Sequence, residues 1–326
     1  MMVKVAVLGG AGFIGSHLVD ALAREGHNII VIDNLSKGRI ENIAHHLDQP
    51  GFTFHKADVL DKELLFGLVP EADAVINLVA HKIPRYSSAL STLSLNTAST
   101  ANALELALKL KARFLLASTS DVYGKSPAQP LKETGDSLLG PSTSRRWAYA
   151  ISKLYDEHLT IAYHQEFGLD YVILRYFGTY GPRQYLNWWG GPQGVFIKAA
   201  FNNQEIEIHG DGSQTRSFTF ISDAANATLR AITRAEATGK IINIGNPEEI
   251  SILDLALLIH RLCEADGEPR IKMVPYESFG GNYEDVMRRV PDISVMREVL
   301  EYEPKVDLVD GLIITIDWFK KEILGR

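Results

Sequence analysis

A glycine-rich turn near the start of the chain constrains its fold more than any other feature. Residues 7–15 read VLGGAGFIG, between an apolar run at 3–8 and a helical pattern. Gly9 can adopt the positive φ of a tight turn, Gly12 lets the backbone approach a ligand, and Gly15 lets the helix pack closely on the strand. A strand, a glycine turn and a helix in this order predict a dinucleotide-binding α/β fold, with the pyrophosphate at the helix N-terminus.

A carboxylate after the next apolar run indicates which dinucleotide binds. The run at 28–32 ends at Asp33, eighteen residues after Gly15. A carboxylate at this place accepts hydrogen bonds from ribose hydroxyls, and its charge repels the 2′-phosphate of NADP. The sequence therefore predicts NAD as the cofactor.

Composition limits the class of protein. The chain has 326 residues, 46% of them hydrophobic, a net charge of −7 and one cysteine, Cys263. This length suffices for a large core, and the negative charge argues against nucleic acid or a membrane surface as a partner. The lone cysteine excludes an internal disulfide, and the ten histidines show no ligand spacing, so we expect no metal. The first strand starts too early for a signal peptide, and no run is long enough for a membrane span, which predicts a cytoplasmic protein.

Short apolar runs alternate with helical patterns through the first half of the chain. The runs lie at 3–8, 29–32, 74–78, 114–117 and 171–174, and the longest helical patterns at 93–110 and 149–167. Repeated βα alternation predicts a Rossmann-type, doubly wound parallel sheet. We assign residues 1–174 to an NAD-binding domain, with about 217–245 returning to it, and residues 175–326 mainly to a smaller, interleaved substrate lobe. The Trp188-Trp189 pair is interpreted either as a lid over a ligand or as loop packing.

Two side chains four residues apart indicate chemistry on a hydroxyl group. Tyr149 and Lys153 share one face of a predicted helix. A tyrosine with the usual pKa of about 10 is a poor base, but a nearby ammonium and the positive charge of a nicotinamide favour its phenolate. Thr119 follows a predicted strand, at the ligand-binding edge of the sheet, where its hydroxyl can bridge substrate and phenolate. We therefore predict Tyr149 as the base, assisted by Lys153 and Thr119.

With these motifs the chain resembles the extended short-chain dehydrogenases/reductases, specifically their NAD-dependent nucleotide-sugar epimerases, dehydratases and decarboxylases. The resemblance covers essentially all 326 residues. Besides the glycine turn and the Tyr149/Lys153 pair, the matching segments are 33–35, 57–59, 78–82, Asn96, 175–177, 180–183 and 210–216. The resemblance implies that bound NAD oxidises the sugar C4 hydroxyl, that chemistry follows on the 4-keto sugar, and that the hydride is usually returned.

The resemblance also assigns roles to individual residues. Besides Gly9, Gly12, Gly15, Asp33, Tyr149 and Lys153, it implies cofactor contacts at Phe13, Ile14, Asn34, Asp58, Val59, Leu78, Ala80, Lys82, Asn96, Ser118 and Tyr176. It implies contacts with a UDP-linked nucleotide-sugar at Tyr86, Ser120, Gly178 (asparagine in most relatives), Arg183, Arg216 and Arg289. The family's equivalents of the helices at 93–110 and 149–167 pair as a four-helix bundle, which implies a homodimer.

Departures from the family pattern bear on the reaction. Asn282 stands where many 4-epimerases have arginine, whereas residues 282–293 and the Arg145-Arg146-Trp147 segment resemble the UDP-glucuronate decarboxylases. In those enzymes an arginine aligned with Arg289 lies near the reacting carboxylate, which it can hold in a bidentate pair. The glutamate that they usually carry is replaced here by the shorter Asp121.

Three kinds of function stay open at this point. The first is oxidation of a UDP-sugar at C4 followed by 4-epimerisation or UDP-glucuronate-type decarboxylation. The second is a 4,6-dehydratase that uses Asp121 as acid/base, although Ser120 replaces the aspartate of the Asp-Glu pair typical of dTDP-glucose dehydratases. The third is a catalytically inactive NAD-sensing regulator, against which the presence of both Tyr149 and Lys153 argues. A structural salt bridge is the alternative to a catalytic role for Asp121.

Overall fold

A seven-stranded sheet is the centre of the computed structural model, which describes residues 2–82, 88–265, 267–279 and 284–324, with side chains to residue 322. The strands are β1 (Lys4–Leu8), β2 (Asn28–Ile32), β3 (Phe52–His55), β4 (Ala74–Asn77), β5 (Arg113–Thr119), β6 (Tyr171–Tyr176), β7 (Thr179–Tyr180), β8 (Ile206–His209), β9 (Thr215–Ser217), β10 (Thr219–Phe220), β11 (Lys240–Ile244), β12 (Glu249–Ser251), β13 (Ile271–Val274) and β14 (Arg288–Arg289). The α-helices are α1 (Phe13–Arg24), α2 (Lys62–Leu68), α3 (Ala89–Leu110), α4 (Trp147–Phe167), α5 (Pro192–Phe201), α6 (Ile221–Thr233), α7 (Ile252–Leu262), α8 (Ser294–Leu300) and α9 (Leu308–Leu324).

The strands of the central sheet are parallel and follow the order β11-β6-β5-β4-β1-β2-β3. The order reverses beside β1, so the carboxyl ends of β1 and β4 border a crevice of the kind that binds ligands in such sheets. The predicted Rossmann-type fold is confirmed, and each of the five apolar runs forms a strand. β3 and β11 were missed because β3 is only half-buried and β11 contains Asn243, whose amide donates to the carbonyls of Leu131 and Asp292.

Helices bury their apolar faces on both sides of this sheet. α1 and α6 pack on one face, where Leu22 and Leu229 belong to the same buried cluster as Val172 of β6. α3 covers the other face and places Leu104 in a cluster with Leu116 of β5. Water is thereby kept from both faces, as a purely parallel sheet requires.

The C-terminal half of the chain contributes both to the sheet and to a separate core. β11 pairs with β6, with Ile242 opposite Leu174. α5, α7 and α9 build another buried cluster, which contains Phe196, Leu255 and Leu312. Among the described helices, none is both long enough and apolar enough to cross a membrane.

Candidate active site

The glycine turn has the close approach that a dinucleotide cradle requires. Gly9 has a φ of +84°, and a Cβ at Gly15 would lie 2.2 Å from the Gly9 carbonyl oxygen and 2.8 Å from Cα of Gly10. Gly12 is the N-cap of α1, and none of the described residues in the first turn of this helix is acidic. A helix N-terminus with no opposing carboxylate on the helix itself fits a pyrophosphate.

Asp33 is fixed beside this turn. The residue is 7% exposed, and its carboxylate accepts hydrogen bonds from the backbone N–H of Ala11 at 3.0 Å and of Leu35 at 2.8 Å. Burial raises the pKa of Asp33, and these two N–H groups oppose the shift. The next residue, Asn34, donates to the Asp58 carboxylate at 3.0 Å. The turn, Asp33 and Asp58 therefore form a cradle with acceptors for ribose hydroxyls and a helix terminus for phosphate, which fits NAD.

A cavity of about 320 Å³ opens at the carboxyl ends of β5 and β6. Tyr149, in the first turn of α4, lies on its wall and forms a hydrogen bond with Thr119. Ser120 and Asp121 follow β5 and Gly178 follows β6, and all three line the same cavity. The structure thus brings together the predicted base on α4 with its hydroxyl partner and the acid, which lie at the end of β5 and directly after it.

The protonation of Tyr149 differs from the expectation. Burial raises the pKa of its phenol, the charges of Asp121 and Asp156 raise it further, and only the hydrogen bond with Thr119 opposes them. The lowering predicted from Lys153 is not among these influences, and its ammonium lies 3.4 Å from the Asp156 carboxylate. Without a bound cationic cofactor, the phenol therefore keeps its proton.

Asp156 is a buried acid that the sequence analysis did not single out. Its side chain is 0% exposed and that of Lys153 is 1% exposed. Burial raises the pKa of Asp156 to about 6, although the charge of Lys153 lowers it. The signal was present in the sequence, since residues three apart on a helix are neighbours.

Ion pairs cross the cavity between the two halves of the chain. Arg289 Nη1 lies 2.9 Å from Asp121 Oδ1. Asp285 Oδ1 lies 3.0 Å from Nη2 of Arg216 and 3.3 Å from Nη2 of Arg146, the N-cap of α4. Asp285 was missed by the sequence analysis, although it lies in the segment that resembles the decarboxylases.

Positive charge predominates in this cavity. Among the described lining residues, the cations are Lys82, Arg146, Arg216 and Arg289, and the carboxylates are Asp121 and Asp285. Burial raises the pKa of Asp121, but the charges of the three arginines and a hydrogen bond from Thr119 outweigh it, so its pKa lies below the ordinary value. Burial lowers the pKa of Lys82 to about 8 against the charge of Asp121. At neutral pH the cavity therefore holds an ionised Asp121 and an excess of cations.

Several predicted cofactor residues are engaged within the protein. Asn96 accepts from the His81 N–H at 2.7 Å and donates to Ser152 at 2.9 Å. Ser118 donates to the buried Glu157. Phe13 and Ile14 form the first turn of α1, Val59 is buried, Leu78 and Ala80 follow β4, and Tyr176 shares a hydrogen bond of 2.6 Å with Thr228. Their contacts with the cofactor stay predictions.

The structure shows the local environments of two predicted substrate residues, Gly178 and Arg183. A Cβ at Gly178 would lie 2.4 Å from the carbonyl oxygen of Ser217, so the asparagine of relatives would need a different backbone path here. Arg183 lies 2.8 Å from Asp20 of α1 and ties the loop after β7 to that helix. Tyr86 and Asn282 lie outside the described residues.

The tryptophan pair divides between the two interpretations. Trp188 lines the cavity and stacks on His209, with ring centroids 4.4 Å apart. Trp189 packs against His81 at 5.2 Å, with the Lys37 ammonium 4.4 Å from its ring centroid. The Trp188 ring therefore faces the cavity, whereas the Trp189 ring packs the loop against His81 and Lys37.

Comparisons with known proteins agree with this geometry. Residues 5–245 match the model of the NAD dependent epimerase/dehydratase family. The UDP-N-acetyl-alpha-D-glucosaminuronate decarboxylase of Bacillus cytotoxicus is 36% identical over 325 residues, which are 98% of this chain and 99% of that protein. The structure of a UDP-glucose 4-epimerase from Thermotoga maritima with UDP-glucose is similar with a TM-score of 0.86 at 30% identity, covering 98% of this chain and 99% of the other. That of a UDP-glucuronic acid 4-epimerase from Bacillus cereus with UDP-glucuronic acid and NAD is similar with a TM-score of 0.84, at the same identity and coverage.

Proposed function

Because this chain belongs to the NAD-dependent epimerase/dehydratase family, we propose that it is an NAD-dependent decarboxylase of a UDP-linked hexuronate. The observation that carries the proposal is the ion pair of Arg289 with Asp121 in a cation-rich cavity that also holds Tyr149. Arginine binds carboxylates through two parallel hydrogen bonds, so this cavity suits a sugar acid. The Bacillus cytotoxicus relative, which matches almost the whole chain, is named as a decarboxylase of such a sugar.

The charge of the cavity suits the rest of the substrate as well. Arg216 Nη2 lies 3.0 Å from Asp285, a carboxylate that also lies 3.3 Å from Nη2 of Arg146. A diphosphate supplies the additional negative charge and accepts charge-assisted hydrogen bonds from guanidinium groups. We therefore assign the diphosphate to Arg216 and the sugar carboxylate to Arg289.

Oxidation at C4 requires a base at the hydroxyl group. A bound NAD would supply the acceptor for the C4 hydride, and the glycine turn and Asp33 would hold it. Beside its positive nicotinamide, the phenolate of Tyr149 would be favoured, so Tyr149 would take the C4 hydroxyl proton while Thr119 holds the same oxygen. Lys153 stabilises the phenolate only when its ammonium moves away from Asp156, which it contacts at 3.4 Å.

Loss of CO2 follows from the position of the new ketone. In a 4-keto hexuronate the C6 carboxylate is β to the C4 carbonyl, so the C5–C6 electron pair moves toward the C4 oxygen as CO2 leaves. Tyr149, protonated by the first step, donates its proton to that oxygen. C5 then takes up a proton from solvent water, and the enol oxygen returns its proton to Tyr149 as the ketone forms again. Asp121 is ionised, and its repulsion of the sugar carboxylate ends when neutral CO2 departs.

The protonation of Asp121 argues against the dehydratase alternative. A general acid that expels water must carry a proton near neutral pH. The pKa of Asp121 is instead held below its ordinary value by Arg289, Arg146 and Arg216. The inactive-regulator alternative conflicts with the placement of Thr119 and Tyr149 in hydrogen-bond contact at the cavity.

A 4-epimerase acting on the same uronate is the second candidate. The Bacillus cereus structure, which contains UDP-glucuronic acid and NAD, is of a 4-epimerase and has the same overall fold. Both reactions begin with oxidation at C4. The decarboxylase then loses the sugar carboxylate as CO2 while the 4-keto intermediate is bound, whereas the 4-epimerase retains it.

Product analysis distinguishes these outcomes. The protein is incubated separately with UDP-glucuronate, UDP-N-acetylglucosaminuronate, UDP-glucose, UDP-N-acetylglucosamine and dTDP-glucose, with the Tyr149→Phe variant as control, and products are identified by mass and NMR. Loss of CO2 from a uronate supports the proposal. Conversion of a uronate to its C4 epimer at unchanged mass supports the second candidate, and loss of water or turnover of neutral sugars alone contradicts both.

We also infer a homodimer through α3 and α4. Leu90 of α3 is 73% exposed, and Ile151 and Tyr155 of α4 are 40% and 53% exposed. Apolar side chains on two adjacent helices suit pairing with the same helices of a second copy as a four-helix bundle. Sedimentation of the wild type against an Ile151→Glu variant tests this, since the charge should disrupt the pairing. The cytoplasmic location stays a prediction.

A further inference from the structure

We propose that Asp20, His45 and His46 form a binding site for a divalent transition-metal ion such as Zn²⁺, outside the cavity described above. One ligand atom from each of these residues lies within 4.8 Å of the others. The sequence analysis expected no metal because the ten histidines show no ligand spacing. In this cluster the two histidines are adjacent and the aspartate belongs to another element.

Two elements that are separate in the chain bring the ligands together. Asp20 projects from α1, and both histidines lie in the 3₁₀ helix Ala44–His46 that follows β2. The Nε2 atoms of His45 and His46 lie 2.9 Å and 2.8 Å from Asp20 Oδ1. Ligands of tetrahedral Zn²⁺ lie about 2.0–2.2 Å from the ion and hence about 3.3 Å from one another. Small side-chain movements of about half an ångström therefore open the position for an ion.

Gln49 holds the ring of His46 in place. Its Nε2 donates to the His45 carbonyl at 3.0 Å, and its Oε1 lies 3.1 Å from His46 Nδ1. When Nδ1 carries the one hydrogen of a neutral imidazole, the lone pair of Nε2 points toward the Asp20 oxygen. This is the orientation in which an imidazole nitrogen and a carboxylate oxygen bind one metal ion.

One metal ion can be shared by all three side chains. The Nε2 atoms of both His45 and His46 converge on the same Asp20 oxygen, so an ion placed there would lie within reach of a lone pair from each residue. The hydrogen bond from His46 Nδ1 to Gln49 is the outer contact that metal-ligating histidines usually make. Borderline nitrogen and oxygen donors of this kind select Zn²⁺ or a neighbouring transition metal over Mg²⁺ or Ca²⁺.

The second oxygen of Asp20 is already occupied. Arg183 Nη1 lies 2.8 Å from Asp20 Oδ2, which leaves Oδ1 for the ion. The positive charge of Arg183 weakens metal binding, while it also orients the carboxylate. The side chain of His45 is 51% exposed, so an ion can reach the site from solvent on its side, whereas that of His46 is 7% exposed.

A bound ion would join α1 to the segment that covers the glycine turn. In that segment Arg39 N–H donates to the Ala11 carbonyl at 3.1 Å and Asn42 Nδ2 donates to it at 2.9 Å. The ion would therefore stabilise the contact between α1 and the segment at 39–46 beside the glycine turn, independently of the proposed reaction.

Metal titration of the tag-free, metal-stripped protein tests the site in the absence of nucleotides and sugars. We expect calorimetry to give one Zn²⁺ per chain, Co²⁺ to develop d–d absorption, and Zn²⁺ to raise Tm. His45→Gln, at an exposed ring, should weaken Zn²⁺ binding at least tenfold, and Gln49→Ala about 10- to 100-fold. His260→Gln, the same substitution on α7, should leave the affinity unchanged.

Equal Zn²⁺ affinities of the wild type and His45→Gln would overturn the proposal, as would the absence of saturable binding. If no Zn²⁺ binds but acidification raises Tm in the wild type and not in His45→Gln, the cation is a proton and the metal site is wrong. Because neither NAD nor a sugar is used, each of these results leaves the proposed function untouched.

Discussion

The Lys153 ammonium lies 3.4 Å from the carboxylate of Asp156, one turn further along α4 and completely buried. The lysine that should support a phenolate is thus held by an acid that itself raises the pKa of Tyr149. The charge of Asp156 therefore adds to burial and to the charge of Asp121, all of which raise the pKa of the catalytic base.

Asp156→Asn should shift the pH dependence of turnover. Removing this negative charge lowers the pKa of Tyr149 and releases Lys153 toward it, so the rising limb of kcat against pH should move to lower pH by about 0.5–1 unit. The pH profile is measured at saturating substrate, with the exposed Asp310→Asn as the matched control. A limb that stays in place, or moves to higher pH, would show that Asp156 only packs the helix.

Tyr149→Phe should abolish most of the turnover while leaving the fold intact. Only the phenol oxygen is removed, so kcat should fall about 10²–10⁴-fold, as is typical for loss of a general base. NAD affinity and Tm should change little. Tyr155→Phe, on the same helix but not among the residues that line the cavity, is the control, and near-normal activity of Tyr149→Phe would rule out its role.

Asp121→Asn should separate oxidation from the step that follows. Oxidation requires Thr119, Tyr149 and Lys153, whereas the ionised Asp121 acts near the sugar carboxylate together with Arg289. We expect product formation to fall about 10²-fold while NADH absorbance accumulates when a uronate is added. The exposed Asp136→Asn serves as control. Interconversion of C4 epimers by Asp121→Asn at the wild-type rate would make Asp121 structural and favour the 4-epimerase.

Asp33→Ser should relax the choice of cofactor. The buried carboxylate repels a 2′-phosphate, so its removal should raise the affinity for NADP relative to NAD about tenfold. Both nucleotides are titrated into cofactor-free protein, and the exposed Asp48→Ser controls for net charge. If the wild type binds NADP as tightly as NAD, Asp33 does not select the cofactor.

Features that depend on spacing within one strand–turn–helix unit were determined by the sequence itself. The glycine turn, Asp33 and the spacing of Tyr149 with Lys153 could be predicted because the geometry of a helix or a tight turn is the same in any protein. Continuous apolar runs likewise identified the buried strands, whereas β3 and β11 lacked that pattern.

Tertiary structure alone decided which distant charges meet. Three such contacts join elements that are far apart in the chain, so their sequence spacing could not predict them. They are the pairs Asp121–Arg289 and Arg216–Asp285 and the cluster of Asp20 with His45 and His46. The spacing of Lys153 and Asp156 was readable, but their burial depends on how α3 packs against α4. The energy of a charge depends on its distance to other charges and to water, and both quantities exist only once the chain has folded.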